Sequence, residues 1–154
     1  MSGDPYARLA ELGIQLPDVS PPRGAYVPAV RTGSHVYVSG QVPMVDGELI
    51  ATGKVGADVT PEQANQLSRR CALAALAAID AVAGLDKLVR VVKVVGFVAS
   101  ADGFTGQPGV VNGASDLFIE VFGDAGRHAR SAVGVAELPL GAPVEVEMVV
   151  EVAD

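Results

Sequence analysis

The chain predicts an α+β domain: a mixed sheet with two long helices packed on one face, plus a short N-terminal helix. Three observations predict it. Two long stretches carry apolar residues at helical spacing, one segment between them is apolar on both alternate sides, and the elements run hairpin, helix, strand, helix, two strands.

From Asp4 to Leu12 the apolar residues Tyr6, Leu9, Ala10 and Leu12 have helical spacing, and Gly13 follows where helices often end. Pro17, Pro21 and Pro22 impose an extended connector, since proline fixes its own φ and disfavours helix in the residue before it. Residues 1–24 read as an N-terminal extension and residues 25–154 as the domain proper. Tyr26 to Arg31 and His35 to Ser39 flank Thr32-Gly33-Ser34 and predict a β-hairpin; Asp46-Gly47 is a further turn, leaving Glu48 to Ala51 as a brief third strand.

Thr60-Pro61-Glu62-Gln63 supplies an N-cap, a proline at the first helical position and a glutamine three residues after the cap. The helix it opens runs to about Val82, with Leu67, Cys71, Ala74, Ala78 and Val82 in a stripe and Gly84 as the stop. Leu88 to Val98 alternates Leu88, Val92, Val94 and Val98 against Val89, Val91, Val95 and Phe97, which predicts a central strand covered on both sides. A second helix spans about Pro108 to Phe122 on Val110, Ala114, Leu117, Phe118 and Val121. Ser131 to Ala136 and Val144 to Val152 close the chain as strands.

At 154 residues, 49% hydrophobic and 19% charged, the chain has the size of one domain and the composition of a heavily buried one. Eleven Lys and Arg against eighteen Asp and Glu give a net charge of −7, which opposes nucleic acid and anionic membranes as partners. Apolar runs stay below the roughly 18 residues a bilayer requires, and Met1 to Ala10 is too polar for a signal peptide, so a soluble, cytoplasmic protein is expected. The lone Cys71 sits in an Ala/Leu run, where a buried thiol is favoured over a nucleophile. With His35 and His128 far apart and one cysteine, no metal site is expected. Right-handed crossovers put both long helices on one side of the sheet, leaving the opposite apolar face for a closed homo-oligomer.

The informative stretch is Arg127-His128-Ala129-Arg130-Ser131-Ala132 with Leu138-Pro139 and Val144-Glu145-Val146-Glu147. Arg130, at the mouth of an apolar strand, is either paired with an acid such as Asp116 or Asp124 or presents a planar fork suited to a carboxylate. Glu145 is either a solvated strand residue or, if it faces a cleft, a partly desolvated proton shuttle. Asn112, Tyr26 and Ser39 are equally open between packing and ligand contact.

On these residues the sequence resembles the RidA/YjgF family, the reactive enamine/imine deaminases also labelled endoribonuclease L-PSP. The resemblance spans about Ala25 to Val152, and its pieces are Gly24-Ala25-Tyr26, Val38-Ser39-Gly40-Gln41, Val111-Asn112, Ala129-Arg130-Ser131, Leu138-Pro139 and Val144-Glu145-Val146-Glu147. It implies a chorismate-mutase-like fold and a homotrimer with clefts between subunits. It also implies cofactor-free hydrolysis of 2-imino acids to 2-keto acids and ammonia. Arg130 would hold the substrate carboxylate and Glu145 would position or activate water, with Tyr26, Ser39 and Asn112 lining the same pocket. The chain departs from the family at Ala132, where a cysteine is usual and only a backbone carbonyl would serve, at Ala25, and in its N-terminal segment. That segment and Ala132 also allow a non-catalytic small-molecule or regulatory module on the same trimer. A ribonuclease is disfavoured by the charge and by an aromatic content of 5%.

Overall fold

The computed structural model describes residues 3–154; Met1 and Ser2 of the N-terminal segment lie outside the described residues. In chain order the elements are α1 (Pro5–Glu11), β1 (Ala29–Thr32), β2 (His35–Gln41), β3 (Met44–Val45), β4 (Glu48–Leu49), α2 (Pro61–Ala83), β5 (Leu88–Ala99), α3 (Gln107–Phe122), β6 (Ala129–Val135) and β7 (Val144–Val152). Five strands form one sheet in the order β1-β2-β7-β5-β6, and β3 with β4 makes a small separate hairpin. Among the pairs of the described five-stranded sheet, β5–β6 is parallel and the rest are antiparallel. The fold is the α+β architecture read from the sequence.

The topology explains why one face is covered. Strand β2 and strand β5 are both antiparallel to β7, so β2–α2–β5 is a parallel crossover with β7 inserted later between its strands. The β5–α3–β6 unit is a second such crossover between direct neighbours. Crossovers of one hand return their helices to the same side of the sheet. There Leu76 and Ile79 of α2 and Val110, Leu117 and Phe118 of α3 are fully buried against Val36, Val94, Val98, Val146 and Val150 of the strands. Each such Leu, Ile or Phe stabilises the fold by about 1.5–3 kcal/mol.

Local chemistry sets the boundaries. Thr60 Oγ1 accepts the Gln63 amide at 3.1 Å and Pro61 occupies the first turn, as the sequence predicts for α2. In the β1–β2 hairpin Thr32 pairs with His35, so the turn is Gly33-Ser34 with Gly33 at φ +58, where the first central position of a type II′ turn calls for glycine.

Several details differ from the sequence reading, among them β6, which runs Ala129–Val135 rather than Ser131 to Ala136. Strand β1 begins at Ala29 rather than Tyr26, because Pro28 has no amide proton for the ladder and the Val27 carbonyl is taken by the Ser39 hydroxyl at 2.6 Å. The third strand is a two-residue piece paired with Met44–Val45. Within β5, strict alternation fails at a bulge: the register shifts around Val91 and Val92, so Val91 enters the core while Val92 is half-buried. The open face of β5 is likewise only partly covered in a single copy.

Helix α1 docks on the domain. Asp4 caps it through a 3.0 Å bond from the Tyr6 amide, the Tyr6 hydroxyl donates to Asp80 Oδ1 at 2.6 Å, and Leu9 is buried. Arg8 Nε donates to the Glu120 carbonyl at 2.8 Å, fastening α1 to α3. Among the described residues no helix is long and apolar enough to cross a membrane.

Candidate functional site

The residues singled out in the sequence fall, within one copy, into two groups on opposite faces of the sheet. Arg130 pairs in register with Val94, whose side chain is buried under the helices, so Arg130 points to the helix side at the β6 edge. Glu145 pairs with Phe97, and Phe97 with Val133, in a row on the open face.

Around Arg130 the acceptors are neutral. Nη1 donates to Asn112 Oδ1 at 2.8 Å and to Ser115 Oγ at 3.2 Å, and Nη2 donates to the Pro108 carbonyl at 3.5 Å. None of the ion pairs among the described residues involves Arg130; Asp124 pairs with Arg127 instead. Among the described residues Arg130 makes no ion pair, so the paired reading does not hold, and α3 orients the cation through neutral acceptors. Asn112 serves as an acceptor for the guanidinium. Ala132, in register with Gly96, is half-buried against the core and offers no side-chain chemistry.

Behind Ser115 lies His128. Its Nε2 is 2.9 Å from Ser115 Oγ, its Nδ1 is 2.6 Å from the Gly126 carbonyl, and its ring meets Phe118 edge-on at 5.9 Å. The His128 ring is half-buried there.

The second group surrounds a cleft of about 630 Å³ lined by Arg23, Tyr26, Ser39, Gly40, Val42, Pro139, Leu140 and Glu145. A bulge in β2 between Val38 and Gln41 turns this strand away from β7, and Gly40 leaves room where a Cβ would strike the Glu145 carboxylate. Glu145 is half-buried, and desolvation, aided by the charge of Glu147, holds its carboxyl above the usual carboxylate range. Simple solvent exposure is thus ruled out for Glu145. Tyr26 precedes the strand and is half-exposed at the cleft, and the Ser39 hydroxyl is engaged by the Val27 carbonyl. Leu140 is held at φ +64, an unusual conformation for a branched side chain, and is 56% exposed on the cleft wall. Helix α1 lies away from this cleft, whereas the connector reaches it through Arg23.

Cys71 is fully buried with Sγ 3.8 Å from the Val144 carbonyl; burial first, then the charge of Glu145, pushes the thiol far up. It is a core residue. Among the described residues no three His, Cys, Asp or Glu side chains cluster to hold a metal ion.

A family model described as "YjgF/chorismate_mutase-like, putative endoribonuclease" matches residues 6–152. This chain belongs to the YjgF family. Protein TCP17 of Trypanosoma cruzi is 47% identical over 97% of this chain and 95% of its own length. Among solved structures, Atu1372 of Agrobacterium tumefaciens, a protein of unknown function, is 44% identical with TM-score 0.89 over 97% of this chain and 93% of that one. A "putative endoribonuclease" of Shewanella oneidensis MR-1 is 32% identical with TM-score 0.94, covering 97% and 100% of the two chains.

In this YjgF chain the sequence reading missed Ser115, Arg23 and Leu140. Ser115 was findable, since it lies three residues after Asn112 and shares its helix face. Arg23 adjoins Gly24-Ala25-Tyr26 and carried a weaker signal. Leu140 gave none, because its place on the cleft follows from the turn at Pro139–Gly141.

Proposed function

We propose that this YjgF protein is an imine deaminase that hydrolyses reactive 2-imino acids of the 2-aminoacrylate type to 2-keto acids and ammonia. The observation that carries this reading is Arg130: a guanidinium oriented by Asn112, Ser115 and Pro108 with no acid beside it is prepared for an external carboxylate.

The reaction needs little more. Water adds through oxygen to C2 of the imine as the imine nitrogen takes a proton; the resulting carbinolamine loses ammonia as the C2–N bond breaks and C2=O forms. The substrate is already electrophilic, so the site has to anchor the carboxylate, orient C2 and present a water to a base. Glu145, partly desolvated at its cleft, is suited to take the proton from that water and return it to the leaving nitrogen.

Arg130 and Glu145 face opposite sides of the sheet in one copy, so a site using both requires the Arg130 edge of one chain to meet the Glu145 cleft of another. A homotrimer supplies this geometry. Val30, Tyr37 and Val133 of the open face are 50%, 52% and 42% exposed in a single copy, and a closed ring would cover them.

The test is keto-acid release from a threonine dehydratase reaction with and without the purified protein. Faster release, lost in Arg130→Ala, is expected; equal rates reject the reading. Tight 2-keto-acid binding without acceleration selects instead a binding module, the reading that Ala132 favours.

A further inference from the structure

The Arg130 fork is the visible end of a chain of hydrogen bonds running from the β6 edge into the protein. The Gly126 carbonyl can only accept, so at 2.6 Å it requires the proton on His128 Nδ1. In the neutral ring Nε2 then carries the lone pair, and at 2.9 Å it accepts a hydrogen bond from the Ser115 hydroxyl. The Ser115 oxygen is left with its lone pairs toward Arg130 Nη1, 3.2 Å away. Along the sequence Arg130, Ser115, His128, Gly126 each group thus donates to the next, and the polarity of the chain is fixed from its inner end.

The surroundings favour this neutral arrangement. Phe118 of α3 stands edge-on to the ring, and burial lowers its proton affinity; the bond to the Gly126 carbonyl raises it, and the Arg130 charge lowers it. Other charges nearby are Asp124 and Arg127, which pair with each other at 3.3 Å on the surface, and Arg90 of β5, which reaches the Arg127 carbonyl at 3.4 Å.

We propose that His128 is a positioning residue for Arg130, holding the fork outward through Ser115 and taking up a proton when a carboxylate occupies the fork. This rests on the reading of Arg130 as the carboxylate anchor. A bound carboxylate cancels the charge that opposes protonation of the ring. Protonated Nε2 then donates to Ser115 Oγ, and the hydroxyl proton turns to the helix carbonyl four residues back, a partner that helical serines commonly use. Reciprocity makes carboxylate affinity rise as pH falls through the His128 titration. Glu145 is also expected to titrate at the site, but His128 alone is joined to Arg130 by hydrogen bonds in one copy.

The experiment is NMR titration of His128 in the full-length protein, with and without saturating 2-oxobutanoate, while following the Arg130 Nε resonance. Expected is a move of the His128 midpoint to higher pH; one unit corresponds to about a tenfold change in ligand affinity across the titration. Ser115→Ala is expected to raise KM several-fold with kcat nearly unchanged, and Ser115→Thr to restore KM. Arg130→Met is expected to raise the His128 midpoint without any ligand. An Arg130 resonance that responds to the keto acid while the His128 midpoint stays fixed overturns this proposal alone. An unresponsive Arg130 resonance overturns the carboxylate reading and the proposal with it. A midpoint unmoved by Arg130→Met refutes the link independently of any ligand.

Discussion

Arg130 Nη1 lies 2.8 Å from Asn112 Oδ1, a charged donor held by a neutral acceptor across the β6–α3 junction. A hydrogen bond of this kind orients the fork without neutralising it, so the charge remains for a guest. A charge-assisted bond to a carboxylate contributes about 1.5–3 kcal/mol, and two parallel bonds more. Arg130→Ala is therefore expected to lower kcat/KM for 2-imino acids by about 100-fold or more, while circular dichroism and thermal midpoint stay close to the parent. Lysine at this position cannot make the fork and is expected to recover only a small part of the loss.

Glu145 gives the pH dependence. Its carboxyl is held above the ordinary range by desolvation first and Glu147 second, and the base form is the ionised one. Activity is expected to fall as pH drops through that raised value, and Glu145→Gln to be slower by about 100-fold or more with a flattened acid limb. The stability sign is the reverse. A carboxyl raised on folding favours the folded state only while protonated, an advantage lost as pH rises through the folded value. Glu145→Gln is thus expected to melt higher than the parent at neutral pH, with the difference vanishing below the ordinary carboxylate range; a thermal midpoint series from pH 3 to 8 checks both ends.

The two long helices pack closely at Gly113, where an added Cβ would collide with the Asn65 carbonyl of α2. Gly113→Ala adds about 0.5–1 kcal/mol of helix propensity but forces a backbone clash costing about 1–3 kcal/mol or more. The clash wins, and a fall in thermal midpoint of a few degrees or more is expected by calorimetry.

Cys71 is expected to be inert. It is fully buried, and its thiol is pushed up by desolvation and by the charge of Glu145. A thiol reagent such as Ellman's is expected to leave the folded protein unmodified and to titrate one equivalent after denaturation. Rapid reaction of the native protein would show that the α2–β7 interface opens.

Long-period patterns made most of the fold legible. The α2 stripe with its Thr60 cap, the α3 stripe, and the alternation Val144, Val146, Met148, Val150 each survive because one face of each element is dry. Errors arose where a local bond competed with the pattern: the Ser39 hydroxyl displaced β1 by capturing the Val27 carbonyl, and a bulge near Val91 reversed the facing of Val92. The site was legible as residue types but not as an arrangement. Alternation gives the side of a strand on which Arg130 or Glu145 lies relative to its neighbours. It says nothing of which strands pair or where α3 docks, and these put Glu145 beside Ser39 and Tyr26 and Arg130 beside Asn112. His128 escaped because its partners, Ser115 and the Gly126 carbonyl, depend on how the turn Gly123–Gly126 folds back on α3.

Mixing two inactive variants probes directly whether Arg130 and Glu145 of different copies share one site. Arg130→Ala and Glu145→Gln would be co-refolded in equal amounts and assayed for imine hydrolysis. If each site joins the arginine of one chain to the glutamate of the next around a three-fold ring, random assembly regenerates about a quarter of the intact sites, and about a quarter of parental activity is expected. A mixture no more active than the two variants kept apart, although subunit exchange is demonstrated by a tag, would contradict the account.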